Sequence, residues 1–357
     1  MGSTVVIVMT RIGTSDLDVL PLSLGGNVFG WTADRDTSFA VLDAFVDGGG
    51  DFIDTADSYS AWVPGNEGGE SETIVGEWLA SRKPAGVVVA TKVSQHPDFR
   101  GLAASNVRRA AEASLRRLGV DEIDLYYAHF DDTSVPLEET VAAFGQLVDD
   151  GLVRHVAVSN YSADRIREWI EIARRTGVAL PVAVQPHYNL VHRNEVEDSI
   201  IPVAEEFELG LVPYYSLASG FLTGKYRSTE TVGQDSPRAQ GAAKYATEAG
   251  LRIIDALEEI GDAHDASIAA TSLAWLRAQP TVVAPIASAR SVEQVPDLLA
   301  GARLELSSEE VQRLNRVSEW TPTSPSRCAR ITAWILSRAP SFARTRPTCV
   351  FTVDSPT

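Results

Sequence analysis

The run Gly48-Gly49-Gly50-Asp51-Phe52-Ile53-Asp54-Thr55-Ala56-Asp57-Ser58-Tyr59 decides the architecture. Three glycines stop the preceding segment, because glycine lacks the side chain that restrains the backbone in a helix. Phe52 and Ile53 then form a short buried strand, and polar residues crowd the point where it ends. Two later apolar runs end in the same manner, Val87-Val-Val-Ala-Thr-Lys92 and Ile123-Asp-Leu-Tyr-Tyr-Ala-His129. In a parallel barrel the C-terminal ends of different strands converge on one mouth. Asp54, Tyr59, Lys92 and His129 are therefore expected to meet in one site.

Outward from that run, strands and helices alternate. Apolar segments at 19–24 (running into Gly25-Gly26), 52–54, 87–92, 123–129, 153–158, 182–185, 211–214 and 281–286 read as strands. Between and after them, apolar residues at helical spacing predict helices at 36–46, 71–79, 103–118, 137–148, 163–176, 195–208, 251–260, 267–278 and 292–299. Eight strands, each followed by a helix and rich in β-branched residues, predict an α/β fold, a (β/α)8 TIM barrel. An open doubly wound sheet would carry a G-x-G-x-x-G turn after its first strand. Leu24-Gly-Gly-Asn-Val-Phe-Gly30 does not match it. One domain is expected over residues 1–320, with an additional helix at 307–317 capped by Ser307 or Ser308.

The composition is that of an ordinary globular protein, 44% hydrophobic and 22% charged. A net charge of −17 disfavours nucleic acid or an anionic membrane as partner, while leaving room for an anionic cofactor in a local basic pocket. No apolar run approaches a membrane span, and the first nine residues lack a basic segment ahead of their short apolar stretch, so the cytoplasm is the expected location. Cys328 and Cys349 alone give no disulfide framework and no metal-ligand spacing. Residues 321–357 hold five arginines and one aspartate, a net of +4, so the first 320 residues carry −21. This Pro-, Ser- and Thr-rich tail is expected to be disordered or loosely docked.

The four converging residues suit one chemistry. A phenol with an ordinary pKa of about 10 is a poor proton donor near neutrality. A nearby lysine cation would stabilise the phenolate, an aspartate would hold the lysine charged, and a histidine could orient a carbonyl oxygen. The set fits protonation of an oxygen becoming an alkoxide as a hydride reaches carbonyl carbon. Taken singly, each residue has a plainer role as turn former, loop aromatic, ion-pair partner or core histidine. Their arrival from three strand ends on one face is what favours a site.

Asp54-Thr-Ala-Asp-Ser-Tyr59, Gly69-Glu-Ser-Glu-Thr73, Ala90-Thr-Lys92, Asp124-Leu-Tyr-Tyr-Ala-His129, Val158-Ser-Asn160, Val184-Gln185 and Leu222-Thr-Gly-Lys-Tyr226 together resemble the aldo-keto reductase superfamily, in order from about residue 11 to 317. The resemblance implies NAD(P)H-dependent carbonyl reduction with Tyr59 as general acid, Lys92 and Asp54 tuning it, and His129 orienting the substrate. It implies that Gly25 and Gly26 lie at the cofactor, that Ser159, Asn160 and Gln185 bind the nicotinamide carboxamide, and that Tyr214 stacks on the ring. The family usually has Tyr-Ser-Pro-Leu where this chain has Tyr214-Tyr-Ser-Leu217, so Tyr215 is the alternative stacking residue. Leu217, Ser219, Gly220 and Lys225 would hold the pyrophosphate; Ser288, Arg290, Gln294 and Asp297 the adenosine end. Arg290 favours NADPH over NADH.

Trp31, Trp62 and Phe130 are candidates for an apolar or sugar-stacking substrate wall. The expected partner is a small carbonyl compound, with no metal; the oligomeric state is open. Alternatives are a reductase of nucleotide-linked keto- or enoyl-sugars, a nicotinamide-binding redox sensor or regulatory subunit, and a Schiff-base aldolase using Lys92.

Overall fold

The eight apolar runs become eight parallel strands of one sheet in the computed structural model, which describes residues 8–227 and 241–319. A short antiparallel hairpin, β1 (Thr10–Arg11) and β2 (Asp18–Val19), precedes them. The barrel strands are β3 (Ser23–Gly25), β4 (Phe52–Asp54), β5 (Val88–Val93), β6 (Ile123–Ala128), β7 (Val153–Ser159), β8 (Pro181–Gln185), β9 (Gly210–Leu211) and β10 (Ile286–Ala287). They pair in the order β10-β3-β4-β5-β6-β7-β8-β9. The ring closes where β9 meets the segment leading into β10. Leu211 bonds to Thr281 and Val283, and the Ile286 N–H donates to the Pro213 carbonyl at 2.8 Å. This is the expected (β/α)8 barrel.

Helices α1 (Arg35–Asp47), α2 (Glu70–Arg82), α3 (Ala104–Leu118), α4 (Leu137–Asp149) and α5 (Ala163–Thr176) fall where helical spacing predicts them. Their apolar faces and the outward faces of the strands form one core layer, in which Trp78, Phe144, Trp169 and Trp275 are buried. A second cluster fills the barrel itself, with Phe52, Val88, Leu125, Tyr127, Ala157 and Val283 pointing inward.

Three departures have local causes. The strands expected at 211–214 and 281–286 pair over only two residues each, β9 and β10, because Pro213, Pro280 and Pro285 have no N–H to give a ladder. The single helix expected at 195–208 opens with a π turn, Val196–Ile200, before α6 (Ile201–Phe207). Pro202 cannot donate to the carbonyl four residues back, and the register loosens there. The helix expected at 292–299 is a 3-10 turn, Val292–Gln294, leading into α9 (Val295–Arg303), with Pro296 in its first turn. Between them lie α7 (Glu248–Ala263) and α8 (Ile268–Arg277). The last helix, α10 (Ser308–Val317), has Ser307 as N-cap in a full capping box with Glu310.

The β1–β2 hairpin was not anticipated. Ile12, Leu17 and Val19 join the inward cluster of the barrel, and Gly13 packs so closely that a side chain there would meet the carbonyls of Val182 and Glu208. The hairpin therefore plugs the N-terminal ends of the strands, opposite the mouth. No helix among the described residues is long and apolar enough to cross a membrane. The tail read at 321–357 lies outside the described residues, as does 228–240 of the loop after β9.

Candidate active site

Parallel pairing sets Gly25 beside Asp54, Asp54 beside Ala90, Lys92 beside Tyr127, and Ser159 beside Gln185, so these strand ends reach one level of the barrel. Lys92 points inward from β5 and is fully buried. Its Nζ donates to Asp54 Oδ2 at 2.7 Å, to the Thr55 carbonyl at 2.7 Å and to the Tyr59 hydroxyl at 2.8 Å. The Tyr59 hydroxyl in turn donates to Asp54 Oδ2 at 3.2 Å. Gln185 Nε2 bonds the other carboxylate oxygen at 2.9 Å, which fixes Asp54 from both sides. The His129 ring lies 6.1 Å from that of Tyr59, centroid to centroid, and its buried Nδ1 has no partner among the described residues.

Burial governs the protonation of this group. It holds the Tyr59 phenol well above its usual pKa, and the neighbouring Asp54 carboxylate pushes the same way. Lys92 lies within hydrogen-bond distance of the phenol, where it would favour the phenolate against this desolvation. Burial also lowers the Lys92 ammonium, against the opposing pull of Asp54. His129 is held well below the usual imidazole range by burial and then by the Lys92 charge, and is neutral near pH 7.

A second wall is tied together by side-chain amides and hydroxyls. The Ser159 hydroxyl donates to the Gln185 carbonyl at 2.9 Å. Asn160 Nδ2 donates to the His129 carbonyl at 2.9 Å, and Asn160 Oδ1 accepts from the Tyr214 hydroxyl at 2.7 Å. Asn160 adopts a left-handed backbone (φ 57°), which asparagine tolerates better than most residues. Tyr214 is anchored through this bond and lies nearly parallel to His187; Tyr215 is half exposed at the rim.

These residues line one cavity of about 1100 Å³. Its lining includes Asp54, Tyr59 and His129 with Ser159, Asn160, Gln185 and Tyr214. Leu217, Ser219, Gly220 and Lys225 line it as well, as do Ser288, Arg290, Gln294 and Asp297. Trp31, Trp62 and Phe130 also border it. Gly25 is on the wall, where a Cβ would collide with Ser288 Oγ and Ile286. Gly26 is not. Its N–H donates to the Asp54 carbonyl and its carbonyl accepts from Ser71, so its place is structural. Asn27, Ser58, Gln95 and Arg100 also line the cavity and were not singled out from sequence; Ser58 lies within the Asp54–Tyr59 motif but carries no role there, and Gln95 and Arg100 stand in no motif.

The Gly69-Glu-Ser-Glu-Thr73 motif proves architectural. Ser71 bonds Gly26 and Thr55, and buried Glu72 receives Thr91 at 2.5 Å and Arg117 at 2.6 Å, bracing β4 and β5 against α2 and α3.

The family model for the aldo/keto reductase family matches residues 21–319. The chain belongs to the aldo/keto reductase family. Among similar proteins, an uncharacterised oxidoreductase, YrpG, of Bacillus subtilis is 33% identical over 86% of this chain and 95% of its own length. A probable voltage-gated potassium channel subunit beta of Oryza sativa subsp. japonica is 31% identical over 87% of this chain and 97% of its own. The norsolorinic acid reductase stcV of Emericella nidulans is 32% identical over 83% and 77%.

The donor set of this aldo/keto reductase suits a nicotinamide dinucleotide. Ser159, Asn160 and Gln185 offer amide and hydroxyl groups at the level of Tyr59. Ser219, Gly220 and Lys225 line the same cavity, where a left-handed turn at Ala218–Gly220 brings the backbone to its wall. Among the described residues no cluster of three or more histidine, cysteine or acidic side chains could hold a metal ion.

Proposed function

We propose that the protein reduces an aldehyde or ketone to the alcohol, with NADPH as hydride donor and Tyr59 as general acid. One observation carries the reading: the Tyr59 hydroxyl, on the wall of a large cavity, lies 2.8 Å from a fully buried ammonium that is itself held by Asp54.

NADPH, when bound, supplies the hydride that reaches the carbonyl carbon. The protein's part is to bind, orient and protonate. Ser159, Asn160 and Gln185 would hold the carboxamide and Tyr214 the ring, with Leu217, Ser219, Gly220 and Lys225 at the pyrophosphate. Ser288, Arg290, Gln294 and Asp297 would take the adenosine end. The Arg290 guanidinium favours a 2′-phosphate and so NADPH over NADH, against the neighbouring acids Glu293 and Asp297. His129, neutral and lining the cavity beside Tyr59, orients the carbonyl oxygen. Tyr59 keeps its proton until that oxygen becomes basic, then gives it up. Lys92 stabilises the phenolate left behind, and Asp54 keeps the ammonium in place.

The test is oxidation of NADPH at 340 nm against a panel of aldehydes and ketones. Tyr59→Phe is expected to lower kcat by roughly 10²–10⁴-fold, with NADPH affinity by calorimetry unchanged. An unaltered kcat would remove the proposed acid. Similarity to a potassium-channel beta subunit favours a second reading, a nicotinamide-binding regulatory subunit. Tight NADPH binding by the wild type with no turnover across the panel would select it.

A further inference from the structure

The cavity lining combines polar side chains with a set of aromatic rings. Trp31 and Trp62 meet edge to face at 5.6 Å, and Tyr59 approaches Trp62 at 6.3 Å. Among the described residues the exposed large aromatic side chains are Trp62 (52%), Phe130 (41%) and Tyr215 (53%), and all three line this cavity. Rings left in solvent around a single opening make a surface for a flat apolar body.

One charge lines the same cavity. Arg100, on the β5–α3 connection, borders it together with Gln95 and Pro97 of the same connection. No carboxylate among the described residues forms an ion pair with Arg100; the nearby Asp132 is occupied by the Leu102 N–H and by Ser134. Its backbone is firmly held. Residues 94 and 100 bridge, the Gly101 N–H donates to the Ser94 carbonyl at 3.0 Å, and Asn106 Nδ2 reaches the carbonyls of Phe99, Arg100 and Gly101 at 2.8–3.1 Å. Ser94 directly follows the end of β5, two residues beyond Lys92. An arginine on a fixed turn thus lines a cavity that also carries exposed rings, in a chain whose net charge of −17 otherwise repels anions.

We propose that the substrate is an aromatic or similarly flat carbonyl compound bearing a carboxylate, and that Arg100 binds the carboxylate; this rests on the reductase reading above. A guanidinium fork matches the two oxygens of a carboxylate, giving two parallel charge-assisted hydrogen bonds.

The experiment compares 4-carboxybenzaldehyde with its neutral counterpart methyl 4-formylbenzoate, for wild type, Arg100→Gln and Arg100→Lys. Wild type is expected to favour the acid in kcat/KM. Arg100→Gln should raise KM for the acid tenfold or more, with kcat and the KM for the ester within about twofold, and Arg100→Lys should fall between. Calorimetry of the product 4-(hydroxymethyl)benzoate should show the same tenfold loss without any hydride transfer. Equal use of acid and ester by wild type, or equal loss of both in Arg100→Gln, overturns the assignment while the ester's turnover upholds the reductase reading. If wild type reduces neither compound, equal binding of 4-(hydroxymethyl)benzoate by wild type and Arg100→Gln overturns the assignment and a tenfold loss upholds it, while the reductase reading is decided by the carbonyl panel.

Discussion

Lys92 shows how tightly single residues are constrained here. Its ammonium has no solvent contact and three oxygen partners, and its carboxylate partner Asp54 is equally buried. Removing one member of such a pair strands the other charge in a poorly solvated site. Lys92→Met is therefore expected to cost about 3–5 kcal/mol of stability, read from urea unfolding. Lys92→Met combined with Asp54→Asn should recover much of that loss, and a single variant as stable as wild type would contradict the pairing. The identities of Asp54, Tyr59, Lys92 and His129 were legible in the sequence because each follows a recognisable apolar strand. The protonation of Tyr59 was not. It depends on how completely the group is desolvated, a property of packing that neighbouring letters do not carry. Arg100 was equally invisible, because a turn residue without a motif becomes conspicuous only when its neighbours in space are known.

At the level of elements, long periodic helices were readable, and so was the short strand at 52–54 behind its three glycines. Helix α5 spans the residues its spacing predicts, with Ser162 capping its start and Gly177 in a left-handed conformation at its end. The strands at 211–214 and 281–286 were read too long, because apolar runs alone take no account of the prolines within and around them, which deny N–H groups to a ladder. The β1–β2 hairpin escaped because Ile12, Leu17 and Val19 are spread across a polar turn. The Ser307 cap was legible from chemistry alone. In the structure its hydroxyl accepts the Glu310 N–H while Glu310 returns to the Ser307 N–H at 2.7 Å. Ser307→Ala is expected to destabilise the protein by about 1 kcal/mol, with the urea midpoint shifted and the slope unchanged. A shift of zero would mean that packing of Leu314, rather than the cap, holds α10.

For the whole molecule, buried histidines couple stability to pH. Burial, followed by His192 and Lys244, lowers His187 to about 4. Below an unfolded value of about 6.5 the unfolded chain takes up a proton that native His187 refuses. Its contribution is complete above that pH and is lost progressively as pH falls toward about 4. His96, His129 and His192 are lowered as well, each first by burial. Buried Asp57, whose carboxyl is raised well above its usual range, acts in the opposite sense. The histidine share is isolated by comparing wild type with His187→Asn: the urea midpoint should drop less between pH 7.5 and 5.0 in the variant. Identical drops would show that His187 titrates normally.

The hairpin at the barrel floor has a practical consequence. Because the β1–β2 hairpin packs through Ile12, Gly13 and Leu17 against the strand ends farthest from the mouth, a linker joined ahead of Thr10 would leave from the back of the barrel. Anchored to a solid support through that linker, the protein would hold its opening toward the liquid, and each copy would stand with the same orientation.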